Sequence, residues 1–171
     1  KDASGKISEA KFVNMHGSEM ENIPKKIAIN TSTAISFAVP LKRERGDNVV
    51  SHVVSPVKNQ TEISLFAYLP TLVKDFKFPV FINANFILSS SREHILGDNP
   101  WNYFLMHEIA KKLVAWSAEM CSRKEYNALN ILVSKPFDDS TPDIKNLAEA
   151  FNSSYEEALN STPFILDQYG Q

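Results

Sequence analysis

Arg92 is the residue of this chain with the clearest chemical use, because it follows a run of hydrogen-bond donors. It comes directly after three serines, residues 89–91, and His94 stands two positions later. A guanidinium group presents a planar fork of N–H donors that suits phosphate oxygens, and serine hydroxyls add further donors. The loop is therefore a candidate anion site, with Arg92 and its companions Ser89, Ser90, Ser91 and His94 as the cluster of donors.

Two interpretations of Arg92 stay open at the level of the sequence. An arginine supplied by a neighbouring domain can stabilise the charge that develops during phosphoryl transfer. Alternatively, Arg92 is a solvent-exposed side chain that pairs with the nearby carboxylate of Glu93 or Asp98. The difference between the two is whether the loop presents the guanidinium group to an external anion or to its own chain.

The other residues with chemical potential lack the partners that the chemistry needs. His107 and Glu108 begin like the helical motif of zinc proteases, but Lys111 stands where the second histidine is required. Nothing near Cys121 in the sequence lowers the pKa of a thiol, so a half-buried structural cysteine is the simpler interpretation. The five glycines stand far apart, which argues against a phosphate-binding loop. We expect no catalytic residue, no metal site and no bound cofactor within this chain alone.

The composition indicates a globular chain without a strong electrostatic preference. Of its 171 residues, 43% are hydrophobic, and 18 basic side chains nearly balance 20 acidic ones. This length suffices for a buried core, and the charge balance argues against binding duplex nucleic acid through its phosphates. The single cysteine excludes an internal disulfide, and no apolar run reaches the ~18 residues that cross a bilayer. We expect a cytoplasmic protein that binds neither nucleic acid nor membrane.

The N-terminal half predicts strands separated by turn residues. β-Branched and aromatic residues dominate several short runs, and one of them leads directly into the Arg92 loop. Residues 45–48 favour a turn between two of these strands, Pro70 is expected to end another, and residues 17–19 are turn-prone. The predicted strands are residues 7–15, 35–41, 49–54, 61–69 and 78–88.

The C-terminal half predicts two helices. Asn99 followed by Pro100 is typical of a helix start, and residues 140–143 carry the same kind of signal for a second helix that Pro163 ends. Residues 126–133 are compatible with a helix or a strand, and their spacing favours a helix, while residues 164–166 predict a short strand. The apolar stripe of the first helix is Trp101, Phe104, Leu105, Ile109, Leu113, Trp116 and Met120.

Strands come first and helices second, which predicts an α+β fold with an antiparallel or mixed sheet followed by packed helices. We divide the chain into an N-terminal strand and linker at 1–33, an α+β core at 34–120 and a helical extension at 121–171. The extension is expected to pack on the core, so that the chain is one folding unit.

Four short blocks occur in an order that resembles the segment after the ATP-binding domain in sacsin and sacsin-like proteins. These proteins are relatives of the heat-shock-ninety, gyrase and MutL ATPases. The blocks are residues 34–41, 64–70 and 78–92 and the pair Trp101–Asn102. Each block is short, and their joint order carries the specificity of the resemblance.

The resemblance implies a middle, transducer-like domain with a split β-α-β fold and no hydrolytic activity of its own. It implies that Arg92, with Ser90 and Ser91 beside it, approaches the terminal phosphate of ATP. The ATP, with Mg, would be bound by a separate N-terminal ATP-binding domain of the same polypeptide. Such a domain couples the ATP state to binding of a protein client or partner.

The chain departs from the pattern of this family at two places. Glu93 stands where a second basic residue often follows the arginine, and Ala84 or Asn85 stands where glycine is usual. The chain also begins at Lys1 without an initiator methionine, so we expect it to be part of a longer polypeptide. The alternative is an independent protein-interaction module that binds through a strand edge or a helical face and has no link to a nucleotide.

Overall fold

Short strands fill the first half of the described chain, and helices fill the second half. The computed structural model describes residues 35–45, 50–57, 63–123, 125 and 127–164. The strands are β1 (Ser36–Ala38), β2 (Leu41–Arg45), β3 (Val50–Val54), β4 (Leu65–Ala67), β5 (Leu69–Pro70) and β6 (Phe81–Asn83). They are followed by α1 (Pro100–Ser122), a 3-10 helix (Ala128–Ile131) and α2 (Lys145–Ser161). This order confirms the α+β class.

The main sheet is mixed and has the strand order β1-β6-β4-β5 within the described residues. β1 runs antiparallel to β6, with Phe37 opposite Ile82. β4 runs parallel to β6, with Leu65 opposite Ile82, and pairs antiparallel with β5, where Phe66 faces Pro70. The connection between the parallel strands β4 and β6 contains β5 and no helix.

A second, two-stranded sheet consists of β2 and β3, which pair antiparallel from Leu41 opposite Val54 to Arg45 opposite Val50. The prediction that two strands meet here is confirmed. The predicted turn at 45–48 falls, after Arg45, outside the described residues. The predicted strand at 7–15 and the turn at 17–19 also lie outside them, as does all but Phe164 of the predicted strand at 164–166.

The predicted bounds of the other strands are too generous. The run at 35–41 divides into β1 and the start of β2 around Pro40, which cannot donate to a strand ladder. The predicted strand at 61–69 is divided at Tyr68, where the chain reverses, into β4 and β5. Pro70 is the last residue of β5, which lies at the sheet edge, where proline is tolerated. Of the segment 78–88, only β6 pairs as a strand, and Leu88 forms an isolated bridge with Ile95.

Helix α1 begins where the sequence predicts it, at Pro100. The side chain of Asn99 caps it by accepting a hydrogen bond from the backbone N–H of Trp101 at 2.9 Å. Five of the predicted stripe residues are buried, whereas Phe104 is half-buried and Trp101 is 36% exposed at the edge of the helix face. The predicted inclusion of Trp101 in the core is therefore wrong.

Helix α2 begins at Lys145, later than the predicted cap at 140–143. Asp138 accepts a hydrogen bond from the backbone N–H of Ser140 at 2.9 Å, and its contacts with Ser140 lower the pKa of this carboxyl. The Ser140 backbone is thus engaged in a local turn, and Ile144 occupies the N-cap position without a side-chain cap. The helix ends at Ser161, just before Pro163, as predicted.

Within the described part of the segment at 126–133, residues 128–131 form a short 3-10 helix, as the spacing favours. Ser117 of α1 donates a hydrogen bond to the carbonyl oxygen of Ala128 at 3.2 Å, which ties this helix to α1. Ser154 of α2 donates to the carbonyl oxygen of His107 at 3.0 Å, which ties α2 to α1. No described helix has the length and apolarity needed to cross a membrane.

Two aromatic contacts join the strand half to the helices. Phe37 of β1 stacks on Trp116 of α1, with ring centroids 5.6 Å apart. Phe78, in the connection before β6, meets Phe151 of α2 at 5.3 Å. Such pairs add about 0.5–1.5 kcal/mol beyond the burial of their area. Buried side chains from the strands, their connections and both helices form a common hydrophobic cluster.

Candidate functional site

The Arg92 loop is a small hairpin between β6 and α1. Leu88 and Ile95 form an antiparallel bridge at its base. Beyond the bridge, the backbone N–H of Ser89 donates to the carbonyl oxygen of His94 at 2.9 Å. The side chain of Ser89 also accepts a bond from the backbone N–H of His94 at 3.2 Å. These bonds fix both arms of the hairpin and leave residues 90–93 at its tip.

Arg92 closes a tight turn at this tip in a left-handed backbone conformation. Its N–H donates to the carbonyl oxygen of Ser89 at 2.9 Å, and its φ is 61°. Its own carbonyl oxygen accepts a bond from the N–H of Leu72 at 2.8 Å, which links the hairpin to the segment after β5. Positive φ is uncommon for residues other than glycine and carries a cost in free energy.

The guanidinium group of Arg92 contacts backbone carbonyl oxygens of the turn between β4 and β5. Its Nη2 atom donates to the oxygens of Ala67 at 3.2 Å, Leu69 at 3.1 Å and Pro70 at 3.5 Å. Among the described residues Arg92 forms no ion pair, so the interpretation in which it pairs with Glu93 or Asp98 is wrong. The carbonyl oxygens of the β4–β5 turn are the acceptors that a carboxylate would supply in an ion pair.

Tyr68 sits at the apex of the same turn and has the same backbone conformation. Its φ is 62°, and its N–H donates to the side-chain oxygen of Asn83 on β6 at 3.0 Å. The tyrosine side chain is 73% exposed. A bulky aromatic residue at positive φ is a true outlier, and such residues cluster at functional sites. Nothing in the local sequence signals this conformation of Tyr68.

An open groove with a volume of about 490 Å³ lies between the hairpin and the β4–β5 turn. Arg92 and Tyr68, two non-glycine residues at positive φ, both line it. Ser90 also lines the groove, whereas the hydroxyl of Ser91 faces that of Ser89 at 3.2 Å and His94 lies 3.5 Å from Asp75. The remaining lining residues are Ala67, Asn85, Phe86, Leu88 and Ser89.

The start of α1 positions the hairpin through two side chains. Asn102 is fully buried; its Oδ1 accepts a bond from the N–H of Ile87 at 2.9 Å, and its Nδ2 donates to the carbonyl oxygens of Ile87 at 2.8 Å and Leu96 at 3.0 Å. Trp101 donates from Nε1 to the carbonyl oxygen of Asn85 at 2.9 Å. The helix therefore holds both arms of the hairpin. Asn102 lies three positions before Leu105 and four before Met106, so helical spacing places its amide on the apolar face of α1, and this spacing is the sequence signal that identifies it.

The other candidates from the sequence lie apart from the groove. His107 is partly exposed, with Nδ1 3.5 Å from Glu108, and the Nζ of Lys111 lies 3.8 Å from Glu157 on α2. Within the described residues, no group of three histidine, cysteine or acidic side chains could hold a metal ion. Burial raises the pKa of the Cys121 thiol, which leaves less thiolate at neutral pH, contrary to what a nucleophile needs.

Comparisons with known proteins give no independent indication of function. A scan against protein-family models, a search of curated proteins and a search of solved structures each found no match for this chain. The evidence for function is thus the groove itself. It combines a cationic fork, a serine hydroxyl and an amide with apolar walls, which is the chemistry of binding an anionic or polar group.

Proposed function

We propose that this chain is the non-catalytic, middle, transducer-like domain of a larger sacsin-like, chaperone-related ATPase. In this role it couples the ATP state of a separate N-terminal domain to binding of a protein client or partner. Arg92 approaches the terminal phosphate of ATP, held with Mg by that domain, and Ser90 and Ser91 supply further donors. The split β-α-β description of the fold belongs to this proposal.

The observation that carries the proposal is that the four blocks of the resemblance meet in one structural unit. The first block contains β1, which pairs with β6 in the third block, and the second block contains β4, which pairs with the other side of β6. The third block ends in Arg92. Trp101 and Asn102, the fourth block, bond to the backbone of the third. Residues of the second and third blocks thus line the groove, and the first and fourth blocks support the third.

Arg92 retains hydrogen-bonding capacity for an anion in this arrangement. All of its side-chain bonds in the described part of the chain are made by Nη2, and its Nε and Nη1 donate to no acceptor there. Ser90 is exposed beside it in the groove. A guanidinium group with unused donors at the rim of an open groove suits a phosphate that is presented by another domain.

The test is ATP hydrolysis by the polypeptide that joins this chain to its ATP-binding domain. Arg92→Ala is expected to lower kcat by about ten- to a thousandfold, the scale of a single electrostatic donor, with ATP binding retained. Arg123→Ala, which removes an arginine that pairs with Glu119 at the end of α1, is the matched control and should leave kcat within about twofold. Unchanged turnover in Arg92→Ala contradicts the proposed contact.

A second candidate function is an independent protein-interaction module, and one observation favours it. Next to the groove, the side chains of Tyr68, Leu69 and Leu72 are 73%, 65% and 50% exposed, on and beside the edge strand β5. Neighbouring exposed apolar side chains at a sheet edge are typical of protein-binding surfaces. The two functions are distinguished by the gene, because an ATP-binding domain encoded upstream of Lys1 supports the first and its absence supports the second.

A further inference from the structure

The turn between β4 and β5 depends on Arg92 for its support. The carbonyl oxygens of Ala67, Leu69 and Pro70 accept from Nη2 of Arg92, and the carbonyl oxygen of Arg92 accepts from the N–H of Leu72. Tyr68, between the two strands, is held at a φ of 62°. One arginine therefore contacts the turn on both sides of its strained residue, through its side chain and through its backbone.

A bidentate grip on an oxyanion competes with this support for the same guanidinium nitrogen. Two parallel N–H bonds to one phosphate come either from Nε and Nη2 or from Nη1 and Nη2. Both pairs include Nη2, whose two N–H groups already serve three carbonyl oxygens of the turn. A bidentate oxyanion would therefore displace at least one of these oxygens. In a guanidinium–oxyanion pair both partners are ionised, whereas in the bonds to the carbonyl oxygens only the donor is, so the oxyanion is the preferred partner.

We infer that Arg92 is a latch that holds the β4–β5 turn in the absence of an oxyanion and releases it when an oxyanion binds in the groove. Release leaves the carbonyl acceptors of the turn, which contains a residue at positive φ, without their donor, and this frees Tyr68 to relax. The released segment carries the exposed side chains of Tyr68, Leu69 and Leu72. The inference rests on the proposed function, in which the oxyanion is the terminal phosphate of ATP. It links phosphate binding in the groove to a change at a partner-binding surface.

The experiment is amide hydrogen exchange on this chain, followed at Tyr68, Thr71 and Leu72, whose N–H groups are all hydrogen-bonded in the closed turn. The probe is inorganic pyrophosphate, compared with sodium chloride at the same ionic strength. Pyrophosphate is expected to speed exchange at these amides by at least about tenfold, the scale of one charge-assisted hydrogen bond, without changing exchange in the middle of α1. Arg92→Gln should show the fast exchange without the anion, and pyrophosphate should add nothing to it.

Arg123→Gln removes the same charge at the end of α1 and should behave as the parent chain does. Exchange that pyrophosphate leaves unchanged or slows overturns the latch, as does slow exchange in Arg92→Gln. The pyrophosphate comparison uses the unaltered chain, so it decides the matter even where Arg92→Gln does not fold. The proposed function fails separately, because unchanged ATP hydrolysis in Arg92→Ala contradicts that function whatever the exchange shows.

Discussion

Asn102 is the residue on which the position of the Arg92 loop most depends. Its amide is fully buried and makes three hydrogen bonds to the backbone of the hairpin. Those backbone groups lie at Ile87 and Leu96, on opposite arms. A buried amide with all of these bonds made is favourable, but its removal leaves the N–H of Ile87 without its partner, at a cost of about 1–3 kcal/mol. It also takes one of two donors from each of the carbonyl oxygens of Ile87 and Leu96.

We predict that Asn102→Ala lowers the free energy of unfolding by about 2–4 kcal/mol, because it removes three hydrogen bonds, leaves the N–H of Ile87 unpaired and opens a small cavity. Urea unfolding followed by circular dichroism measures the change. Asn130→Ala, at an exposed position of the 3-10 helix, is the matched control and should stay within about 0.5 kcal/mol of the parent. A loss of less than about 0.5 kcal/mol in Asn102→Ala would mean that other contacts hold the hairpin.

At the scale of residues, the sequence identifies chemistry better than it identifies partners. Arg92 stands out because a charged fork follows a run of serines, and the structure places it in a groove. Its acceptors are carbonyl oxygens more than twenty positions earlier, and every residue has such an oxygen, so no side-chain pattern points to them. The sequence also gives no sign of the left-handed conformation of Tyr68, because glycine or asparagine usually marks that conformation.

Among the elements, the contact between the hairpin and the approach to α2 is set by one glycine. A Cβ atom added to Gly97 would overlap the backbone carbonyl oxygen of Asp143. Asp143 immediately precedes Ile144, the N-cap residue of α2. The two segments are therefore as close as backbones without side chains allow, and the start of α2 is fixed against the base of the hairpin.

We predict that Gly97→Ala destabilises the fold by roughly 1–3 kcal/mol, because the backbone around Asp143 must move to admit the methyl group. The midpoint of urea unfolding measures this loss. Ser153→Ala, at an exposed position of α2, is the control substitution and should change the midpoint little. Stability equal to that of the parent would show that the contact between Gly97 and Asp143 is looser than the structure indicates.

At the scale of elements, local signals predicted the start of α1 and failed for α2. Asn99 and Pro100 act within one turn of chain, so their effect is readable in sequence. The corresponding signal at 140–143 is overridden, because Asp138 engages Ser140 and the Gly97 contact fixes Asp143. The strand before the Arg92 loop is shorter than its apolar pattern suggests, since burial alone does not supply a pairing partner.

Considered as a whole, the described molecule has aromatic packing that crosses the predicted boundary at residue 120. Phe137 lies in the segment before α2, and its ring contacts Phe76 at 5.1 Å and Phe78 at 5.0 Å, both in the strand half. It also contacts Phe151 of α2 at 4.9 Å, which in turn stacks on Tyr155 at 5.2 Å. Because the rings from both segments share one cluster, loosening α2 is expected to affect the packing beneath the sheet as well.

Tyr155 makes the folding stability depend on pH in the alkaline range. Its hydroxyl donates to the carbonyl oxygen of Val133 at 3.2 Å, and burial raises the pKa of Tyr155 from 10.0 to about 12. Between these two values the unfolded chain loses the phenolic proton while the folded chain keeps it. The contribution of this group to folding stability is therefore fully present below about pH 10 and is lost as the pH rises towards about 12.

We predict that Tyr155→Phe is less stable than the parent by about 1 kcal/mol at neutral pH, because the bond to Val133 is lost. The variant has no phenol to ionise, so this gap should narrow as the pH rises above about 10. Urea unfolding of both proteins at several alkaline pH values measures the gap, with Tyr103→Phe, an exposed position on α1, as the control for removal of one phenol. A gap that stays constant or widens would place the Tyr155 ring in contact with solvent, outside the shared aromatic cluster.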